Sequence, residues 1–277
     1  MPVKGFRYRH RLVRCLILVL TSGWCAMLAM AAEHPEQSDR ETVAPGMEFR
    51  PRLGAYHYEI QWAGSRVATG VITIQQEGDQ YRLTADQRTT EFIDRIYRVR
   101  YRGETRIEAA DLSPSESVIE QEVKKRKKVQ KARYDSDTGA VAVEETRSQK
   151  KRGKVKTKTY ELRSDTGIVD VFTAIFLARS FDWSVGERHA FQIFVGTKQY
   201  VVTLDCVGMS TFDLQGNTIP VWVIRPGIRK TTEVAPSPVS QKTRIFIAAD
   251  ESKDVVKIKA EPGIGTVTLR LVNFQEP

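Results

Sequence analysis

Tyr56-His57-Tyr58-Glu59-Ile60-Gln61-Trp62 decides the fold, because large apolar side chains alternate in this stretch with polar ones. An alternation of this kind is typical of a β-strand that has one buried face and one solvated face. The same period of two recurs at residues 81–86 and 97–102. The chain is therefore predicted to be built mainly from strands whose aromatic side chains face a common core.

Further alternating runs cover most of the remaining chain, and turn-forming residues separate them. They lie near residues 191–195, 200–207, 219–224, 243–248, 255–259 and 266–272. Glycine-containing turns such as Glu77-Gly78-Asp79 and Gln215-Gly216-Asn217 are typical of short connections between antiparallel neighbours. About a dozen short strands joined in this way predict an all-β, mainly antiparallel fold with a closed or half-open barrel-like sheet.

One segment departs from this pattern and predicts a helix. Residues 168–179, IVDVFTAIFLAR, are apolar on nearly all sides when they are placed at helical spacing. Such a segment is typical of a helix that is buried on several sides, so we expect one buried helix near residues 168–180. Ser164, Asp165 and Asp170 are the candidates for its N-cap, and Arg179 suits the negative end of its dipole.

The chain begins with the three parts of a secretory signal peptide. Residues 1–14 carry five basic side chains and no acid, an apolar run follows, and Ala29-Met30-Ala31 forms a small-residue cleavage step. This pattern predicts a signal peptide over residues 1–31 and export to the periplasm. An uncleaved membrane anchor is the alternative, although Thr21-Ser22-Gly23 interrupts an apolar run that is near the minimum length for a span.

Cleavage would leave a flexible N-terminal segment, residues 32–48, and a single β-rich domain, residues 49–277. Of the three cysteines only Cys206 lies in this domain, so an internal disulfide is excluded and a hydrophobic core must hold the fold. Cys206 lies on the apolar face of the alternating run 200–206, which predicts a buried thiol. After cleavage we expect a peripheral protein and not a transmembrane one.

Charge is distributed unevenly along the chain. The whole sequence has 43 basic and 34 acidic residues, and loss of the five bases in residues 1–14 leaves 38 against 34. Fourteen bases and four acids lie between residues 124 and 158, so this segment carries +10 and the rest of the cleaved chain −6. Two strand-like arms around a turn at residues 135–139 predict a basic hairpin near 116–162. Outside the cytoplasm its anionic partner would be phospholipid or lipopolysaccharide phosphate.

Basic side chains of this hairpin are the candidates for binding an anionic surface. They are Lys124, Lys125, Arg126, Lys127, Lys128, Lys150, Lys151, Arg152 and Lys154. Lysines on an exposed edge strand also block aggregation between sheets, which is the alternative explanation for this cluster. Nucleic acid would match the charge, but export and the lack of interleaved aromatic residues in this segment argue against it.

Short motifs in a fixed order connect the chain with a known family. They are residues 58–64 with 68–70, residues 112–114, residues 170–179, residues 196–200 and the closing stretch 250–269 with Gly265. Together they resemble the bacterial envelope family called domain of unknown function 3108, whose central helix typically opens with Asp and closes with Arg. The resemblance implies an exported, β-rich, barrel-like envelope protein. It implies no established activity and therefore supplies no catalytic residues.

Aromatic side chains on the first strand and on the predicted helix are the candidates for binding a lipid-like molecule. Tyr58 and Trp62 lie on the first strand, and Phe172 and Phe176 lie one turn apart on the helix. Packing in a solid core is the alternative role for all four. No catalytic residue, metal site or cofactor is predicted, because the histidines are isolated and the sequence has no nucleophile-elbow, P-loop or dinucleotide motif.

Three functions are compatible with these features. The first is non-catalytic binding of a lipid-like molecule or of an anionic envelope surface. The second is scaffolding, in which the hairpin docks a protein partner of the envelope. The third is hydrolysis of a glycan or lipid by carboxylates such as Asp170 and Asp250, and it ranks last because nothing in the sequence gathers them. An empty apolar cavity beside Phe172 would favour a carrier, whereas a filled interior with an exposed apolar patch would favour a scaffold.

Overall fold

The computed structural model of the 277-residue chain describes residues 49–149, 153–164, 167–232, 242–262 and 265–277. The predicted signal peptide (1–31) and flexible segment (32–48) lie outside these residues, and so do Lys150, Lys151 and Arg152. The described residues form the strands β1 (Gly54–Trp62), β2 (Ser65–Glu77), β3 (Gln80–Thr89), β4 (Val99–Glu108), β5 (Pro114–Val123), β6 (Arg126–Asp135), β7 (Ala140–Gln149), β8 (Lys154–Arg163), β9 (Arg188–Val195), β10 (Lys198–Leu214), β11 (Asn217–Lys230), β12 (Arg244–Ala248), β13 (Val255–Ala260) and β14 (Val267–Gln275). Their helices are α1 (Glu91–Tyr97) and α2 (Val171–Ser180).

The strands form one sheet, in which neighbours in space are nearly always neighbours in sequence. Their order is β8-β7-β6-β5-β4-β3-β2-β1-β14-β13-β12-β11-β10-β9. Two meanders, β1–β8 and β9–β14, are therefore joined by the antiparallel pairing of β1 with β14, where Tyr58 lies opposite Leu271. Because the strands pair antiparallel throughout this 14-stranded sheet, the predicted all-β, mainly antiparallel fold is confirmed.

The sheet is barrel-like but not closed, because its edge strands β8 and β9 are not paired with each other in the described part of the chain. Val169 instead covers part of the β9 edge through backbone hydrogen bonds with Gln192 (3.0 Å) and Phe194 (3.2 Å). The hydroxyl of Tyr160 on β8 donates to the carbonyl of Gly196 in the β9–β10 turn (2.7 Å). The fold is thus the half-open form of the predicted sheet.

The inner face of the sheet carries the side chains that the alternating pattern assigns to the core. Tyr56, Tyr58 and Ile60 of β1 are buried, and the residues between them are partly exposed. Tyr101 continues the aromatic face on β4, and Cys206 is a buried free thiol on β10. Large aromatic side chains thus line a continuous apolar surface around the interior.

Helix α2 lies against this inner face and fills it. Phe172 and Phe176 are buried, and the ring of Phe176 lies 5.5 Å from the rings of both Phe49 and Tyr81. Asp170, one of three candidates from the sequence, is the N-cap, and its side chain accepts hydrogen bonds from the second and third N–H groups of the helix. The predicted buried helix near residues 168–180 is confirmed.

Close packing of α2 depends on Gly103 in β4. A Cβ atom on this residue would overlap the ring carbons Cε2 and Cζ of Phe172. We expect Gly103→Ala to lower the free energy of unfolding by about 1–3 kcal/mol in urea titrations, as overpacking of a core does. Gly70→Ala on β2 is the matched control, because its Cβ would lie 3.7 Å from the nearest heavy atom. Equal losses from the two substitutions would show that the overlap with Phe172 is not the cause.

A second, short helix, α1, is not predicted by the sequence. It lies between β3 and β4. The alternating pattern places the start of the fourth strand at Tyr97, whereas β4 begins at Val99. Ile93 and Tyr97 pack against the core from one side of α1. Phe92 and Ile96 lie on its other side and are exposed. The spacing of Tyr97 fits a strand, but its burial comes from the helix.

Candidate functional site

The cavity that described residues form beside α2 is small. A cavity of about 20 Å³ lies between α2 and the first three strands. Tyr58, Phe172 and Phe176 line it, whereas Trp62 lies at the end of β1, half-buried, and does not. This volume holds roughly one water molecule, so an acyl chain does not fit. The structure therefore brings three of the four candidate ligand-binding side chains together around this small cavity.

Asp170 anchors the first turn of α2 in a buried polar network. Besides the two cap bonds, its carboxylate accepts hydrogen bonds from the hydroxyls of Thr173 (2.9 Å), Tyr134 (3.1 Å) and Thr105 (3.3 Å). The hydroxyl of Ser117 lies 3.2 Å from that of Tyr134 and extends the network to β5. Burial raises the pKa of Asp170, although these hydrogen bonds oppose the change. The network fixes the start of α2 to β4, β5 and β6.

Arg179 anchors the other end of α2. Its Nη2 donates to Oδ1 of Asp254 (2.6 Å) and to the carbonyl of Ser252 (3.0 Å), and its Nε donates to the carbonyl of Lys253 (3.1 Å). Oδ2 of Asp254 accepts a further hydrogen bond from Arg52 (2.6 Å). Arg179 and Asp254 are both buried. Asp170 and Arg179 are therefore structural anchors at the two ends of α2.

The carboxylates considered for hydrolysis are not brought together. Asp250 lies in the β12–β13 turn, where it accepts hydrogen bonds from the N–H (3.0 Å) and hydroxyl (2.6 Å) of Ser252. That turn contacts the end of the ten-residue helix α2, whereas Asp170 caps the start of the helix. A helix of this length is about 15 Å long, so it separates Asp250 from Asp170. Nor do any three His, Cys, Asp or Glu side chains among the described residues form a group that suits a metal ion.

Strands β6, β7 and β8 form a three-stranded unit that we name the basic ribbon. At one end of the ribbon Val141 and Val143 form a small core with Ile168 and Phe194. At the other end every residue at positions 154–159 of β8 is exposed, so both faces of this strand are solvated there. The basic ribbon therefore extends from the body of the barrel into solvent.

Two of the predicted cations on β6 are held in ion pairs. Lys127 pairs with Glu120 and Lys128 with Glu145, both at 2.8 Å. Glu145, which is only 2% exposed, also lies 2.6 Å from Arg147. Burial acts to raise the pKa of Glu145, but Lys128 and Arg147 outweigh it and hold the pKa below its usual value. These cations balance carboxylates, so they contribute little to an anion-binding surface.

The other described cations from the sequence prediction face solvent. Lys125, Arg126 and Lys154 are exposed, and none of them forms an ion pair with another described residue. Lys124 is exposed as well, with its ammonium group 4.5 Å from the centre of the Tyr97 ring. These four side chains remain candidates for contact with an anionic partner.

Lys156 and Lys158 are two further cations that belong with this surface and that the residue-level prediction left out. They follow Lys154 at alternate positions of β8, so the three lysines share one face of the strand. All three are exposed and have no ion-pair partner among the described residues. The alternation in the sequence KVKTKT is the signal that identifies them.

Opposite charges lie at the two ends of strands β2–β8. One end, which we name the basic end, holds α1, the Lys124–Lys125 turn and the start of β8 at Lys154. The turns at the opposite end follow β2, β4 and β6, and they carry acidic residues: Asp79, Asp111 and Asp137. The meander is therefore electrically polarised along its strands.

Neither helix among the described residues has the length and apolar character needed to cross a membrane. A comparison with one solved structure agrees with a barrel-like architecture. A β-barrel-like protein of domain of unknown function DUF1849 from Brucella abortus is similar with a TM-score of 0.51 and 11% identity, covering 82% of this chain and 100% of its own. At this identity the similarity concerns the fold alone.

A second solved structure matches more weakly. The hypothetical lipoprotein YmcC from Escherichia coli K12 is aligned over 100% of both chains at 7% identity, with a TM-score of 0.27. A comparison with curated proteins gives no match.

A family model gives the match that assigns the chain. The model described as protein of unknown function (DUF3108) covers residues 57–272. That range runs from within β1 to within β14 and includes α2 with both of its anchors, Asp170 and Arg179. The chain belongs to the DUF3108 family.

Proposed function

We propose that this protein is an exported component of the cell envelope that binds lipid phosphate, in phospholipid or lipopolysaccharide, without catalysing a reaction. The row of Lys154, Lys156 and Lys158 carries this proposal, because these side chains extend into solvent and have no ion-pair partner among the described residues. Each such cation near an anionic membrane contributes on the order of 1 kcal/mol at low screening. The signal-like sequence of residues 1–31 supports export.

Edge protection alone does not account for the exposed cations. β8 is an edge strand, so its lysines also hinder pairing with another sheet. Lys125 and Arg126, however, lie at the connection between β5 and β6, which are both interior strands of the sheet. A cation there protects no free edge, whereas binding of an anionic surface accounts for both sets.

Carriage of a lipid inside the barrel is less well supported. The cavity beside Phe172 has a volume of about 20 Å³. Asp170 and Arg179 fix both ends of α2 in the interior, so an acyl chain would have to displace the helix together with its buried polar anchors. The proposed contact with lipid is therefore external.

Docking of an envelope protein is a second candidate function, and an exposed apolar cluster favours it. Val185, Val207 and Met209 are 63%, 40% and 53% exposed. The N–H of Gly186 donates a hydrogen bond to the carbonyl of Cys206 (2.8 Å), so the segment that contains Val185 lies beside the segment that contains Val207. A filled interior combined with an exposed apolar patch fits a packed scaffold.

Changing Lys154, Lys156 and Lys158 together to glutamine is expected to weaken binding to anionic vesicles by about 100-fold at low ionic strength. Co-sedimentation with phosphatidylcholine vesicles, alone or with phosphatidylglycerol or lipopolysaccharide added, measures the effect. Binding of the unchanged protein to the anionic vesicles should decrease as the salt concentration rises.

The matched control changes Arg50, Lys131 and Arg133 to glutamine, which removes the same charge from exposed positions away from the basic end that have no ion-pair partner among the described residues. This control should bind anionic vesicles nearly as well as the unchanged protein. Equal binding by the β8 variant, or binding that salt does not weaken, would contradict the proposal. Aggregation of the β8 variant with vesicle binding intact would assign the three lysines to edge protection instead.

A further inference from the structure

Helix α1 exposes two large apolar side chains. Phe92 is 71% exposed and Ile96 is 59% exposed, and residues four apart lie on the same face of a helix. Ile93 and Tyr97 pack against the core from the other face. Because Phe92 and Ile96 are mostly exposed, their side chains contribute little to the stability of the fold.

Exposed cations lie on α1 and in the turn beside it. Arg95 lies within α1 and Arg98 follows its last residue, and both are exposed. The Lys124–Lys125 turn adjoins them, because the N–H of Lys124 donates to the carbonyl of Arg98 (3.0 Å). The pairing of β4 with β5, in which Val99 lies opposite Val123, fixes this arrangement.

Acidic residues compensate only part of this charge. Asp94 of α1 is already paired with Arg100 (2.9 Å), whose hydrogen bond holds the pKa of that carboxyl below its usual value. Glu91 is the other acid on α1. Glu120 and Glu122 share a surface cleft with Arg98. The exposed cations at this end are Arg95, Arg98, Lys124, Lys125 and Arg126. The surface is therefore a small apolar tip within a basic surround.

We propose that Phe92 and Ile96 insert into the acyl boundary of an anionic lipid bilayer while the surrounding cations contact headgroup phosphates. This inference rests on the proposed function and adds an orientation to it, with the basic end facing the membrane. Apolar side chains next to Lys and Arg are the combination that binds at an anionic interface.

A lipid surface fits this tip better than a protein partner does. A stable protein interface buries about 800 Å² on each side and depends on a central apolar cluster, which two side chains do not supply. A bilayer needs no such area, because phosphates spread over its surface complement the separated cations of α1 and of the Lys124–Lys125 turn.

Changing Phe92 and Ile96 together to serine is expected to weaken binding to vesicles that contain phosphatidylglycerol by roughly tenfold, because two large apolar groups no longer leave water. The matched control, Val185→Ser with Met209→Ser, removes exposed apolar side chains away from the basic end and should leave vesicle binding unchanged. Both variants change only exposed positions, so their far-ultraviolet circular dichroism should match that of the unchanged protein.

Insertion itself is measured with Phe92→Trp. Its fluorescence should shift to shorter wavelength on anionic vesicles and be quenched by lipids brominated in the acyl chain, beyond any change in the unchanged protein. Full vesicle binding by the serine variant without quenching at position 92 would overturn the inference, while loss of binding in the β8 lysine variant would still support the proposed function. Failure of the unchanged protein to bind anionic vesicles would contradict both.

Discussion

Replacing Asp254 with alanine is expected to lower the free energy of unfolding by about 3–5 kcal/mol, because the change leaves a buried arginine without its counter-ion. Asp254 is 2% exposed, and its two carboxylate oxygens accept hydrogen bonds from Arg179 and Arg52, each at 2.6 Å. Without the carboxylate, Arg179 keeps only uncharged partners, namely two backbone carbonyls and the hydroxyl of Tyr56. Urea unfolding followed by circular dichroism measures the loss.

A second aspartate beside the same end of α2 provides the matched control. Asp182 pairs with Lys253 at 2.5 Å, but its side chain is 92% exposed. Solvent screens such a pair, so Asp182→Ala should cause only a small loss of stability. Equal losses from Asp254→Ala and Asp182→Ala would show that burial of the Arg179 pair is not the source of the effect.

The coupling between these two charges has its own test. Arg179→Met removes the buried guanidinium, so adding it to Asp254→Ala should recover part of the stability that Asp254→Ala loses. The two substitutions would then be less destabilising together than the sum of their separate effects. Additive effects would mean that Asp254 stabilises the fold through the turn that contains it and not through Arg179.

The sequence predicts the strands and α2 because both are determined by local side-chain periodicity. The alternation from Tyr56 to Trp62 places aromatic side chains on one face whatever the strand pairs with. The segment that contains Phe172 and Phe176 is too uniformly apolar for any place but the core. These patterns need no knowledge of distant residues, which is why the all-β class and the buried helix are both confirmed.

Partners that are distant in sequence escape this kind of prediction. Arg179 is expected to complement the dipole of α2, but its principal contact is the carboxylate of Asp254, 75 residues away. Asp254 follows Glu251-Ser252-Lys253 and looks like an ordinary turn residue in the sequence. Only the pairing of β1 with β14 and of β13 with β14 brings that turn beside the end of α2.

Helix α1 escapes prediction for a different reason. Its seven residues carry apolar side chains at Phe92, Ile93, Ile96 and Tyr97, so both faces look alike and no apolar stripe distinguishes them. The alternation that begins at Tyr97 also continues into β4, which favours a strand from that residue onward. Tertiary packing decides that Ile93 and Tyr97 face the core, and this leaves Phe92 and Ile96 exposed.

The candidate binding residues were only partly predictable. The basic segment is visible in the sequence as a run of charge, but its ion pairs depend on strand register, which places Lys128 beside the buried Glu145 and leaves Lys154 free of ion pairs among the described residues. The volume beside Phe172 is likewise not encoded locally. It depends on how closely α2 approaches β4. That approach requires a residue without a Cβ atom at Gly103.

Replacing Asp170 with alanine is expected to lower the free energy of unfolding by about 3–4 kcal/mol. Loss of an N-cap costs up to about 2 kcal/mol, and each buried donor left without an acceptor costs about 1–3 kcal/mol. The substitution leaves the hydroxyls of Tyr134 and Thr173 without the carboxylate in a buried site. Asp135→Ala is the control, because Asp135 also accepts backbone hydrogen bonds but in an exposed turn, and it should have a much smaller effect.

The pH dependence of stability tests whether the buried carboxyl of Asp170 titrates as its surroundings require. Burial raises its pKa above the usual value of 3.8. A carboxyl whose pKa is higher in the folded state than in the unfolded state stabilises the fold at low pH. This contribution to the free energy of unfolding is lost as the pH rises from the usual pKa through the raised pKa. Asp170→Asn keeps a cap acceptor but does not titrate, so the stability of the unchanged protein relative to this variant should fall as the pH rises above about 4. Other carboxyls, such as Asp94 with its lowered pKa, act in the opposite direction, but they are common to both proteins and cancel in the difference. Parallel stability curves for the two proteins would mean that burial does not raise the pKa of Asp170, and the network around the start of α2 would then hold a carboxylate that ionises at the usual pH.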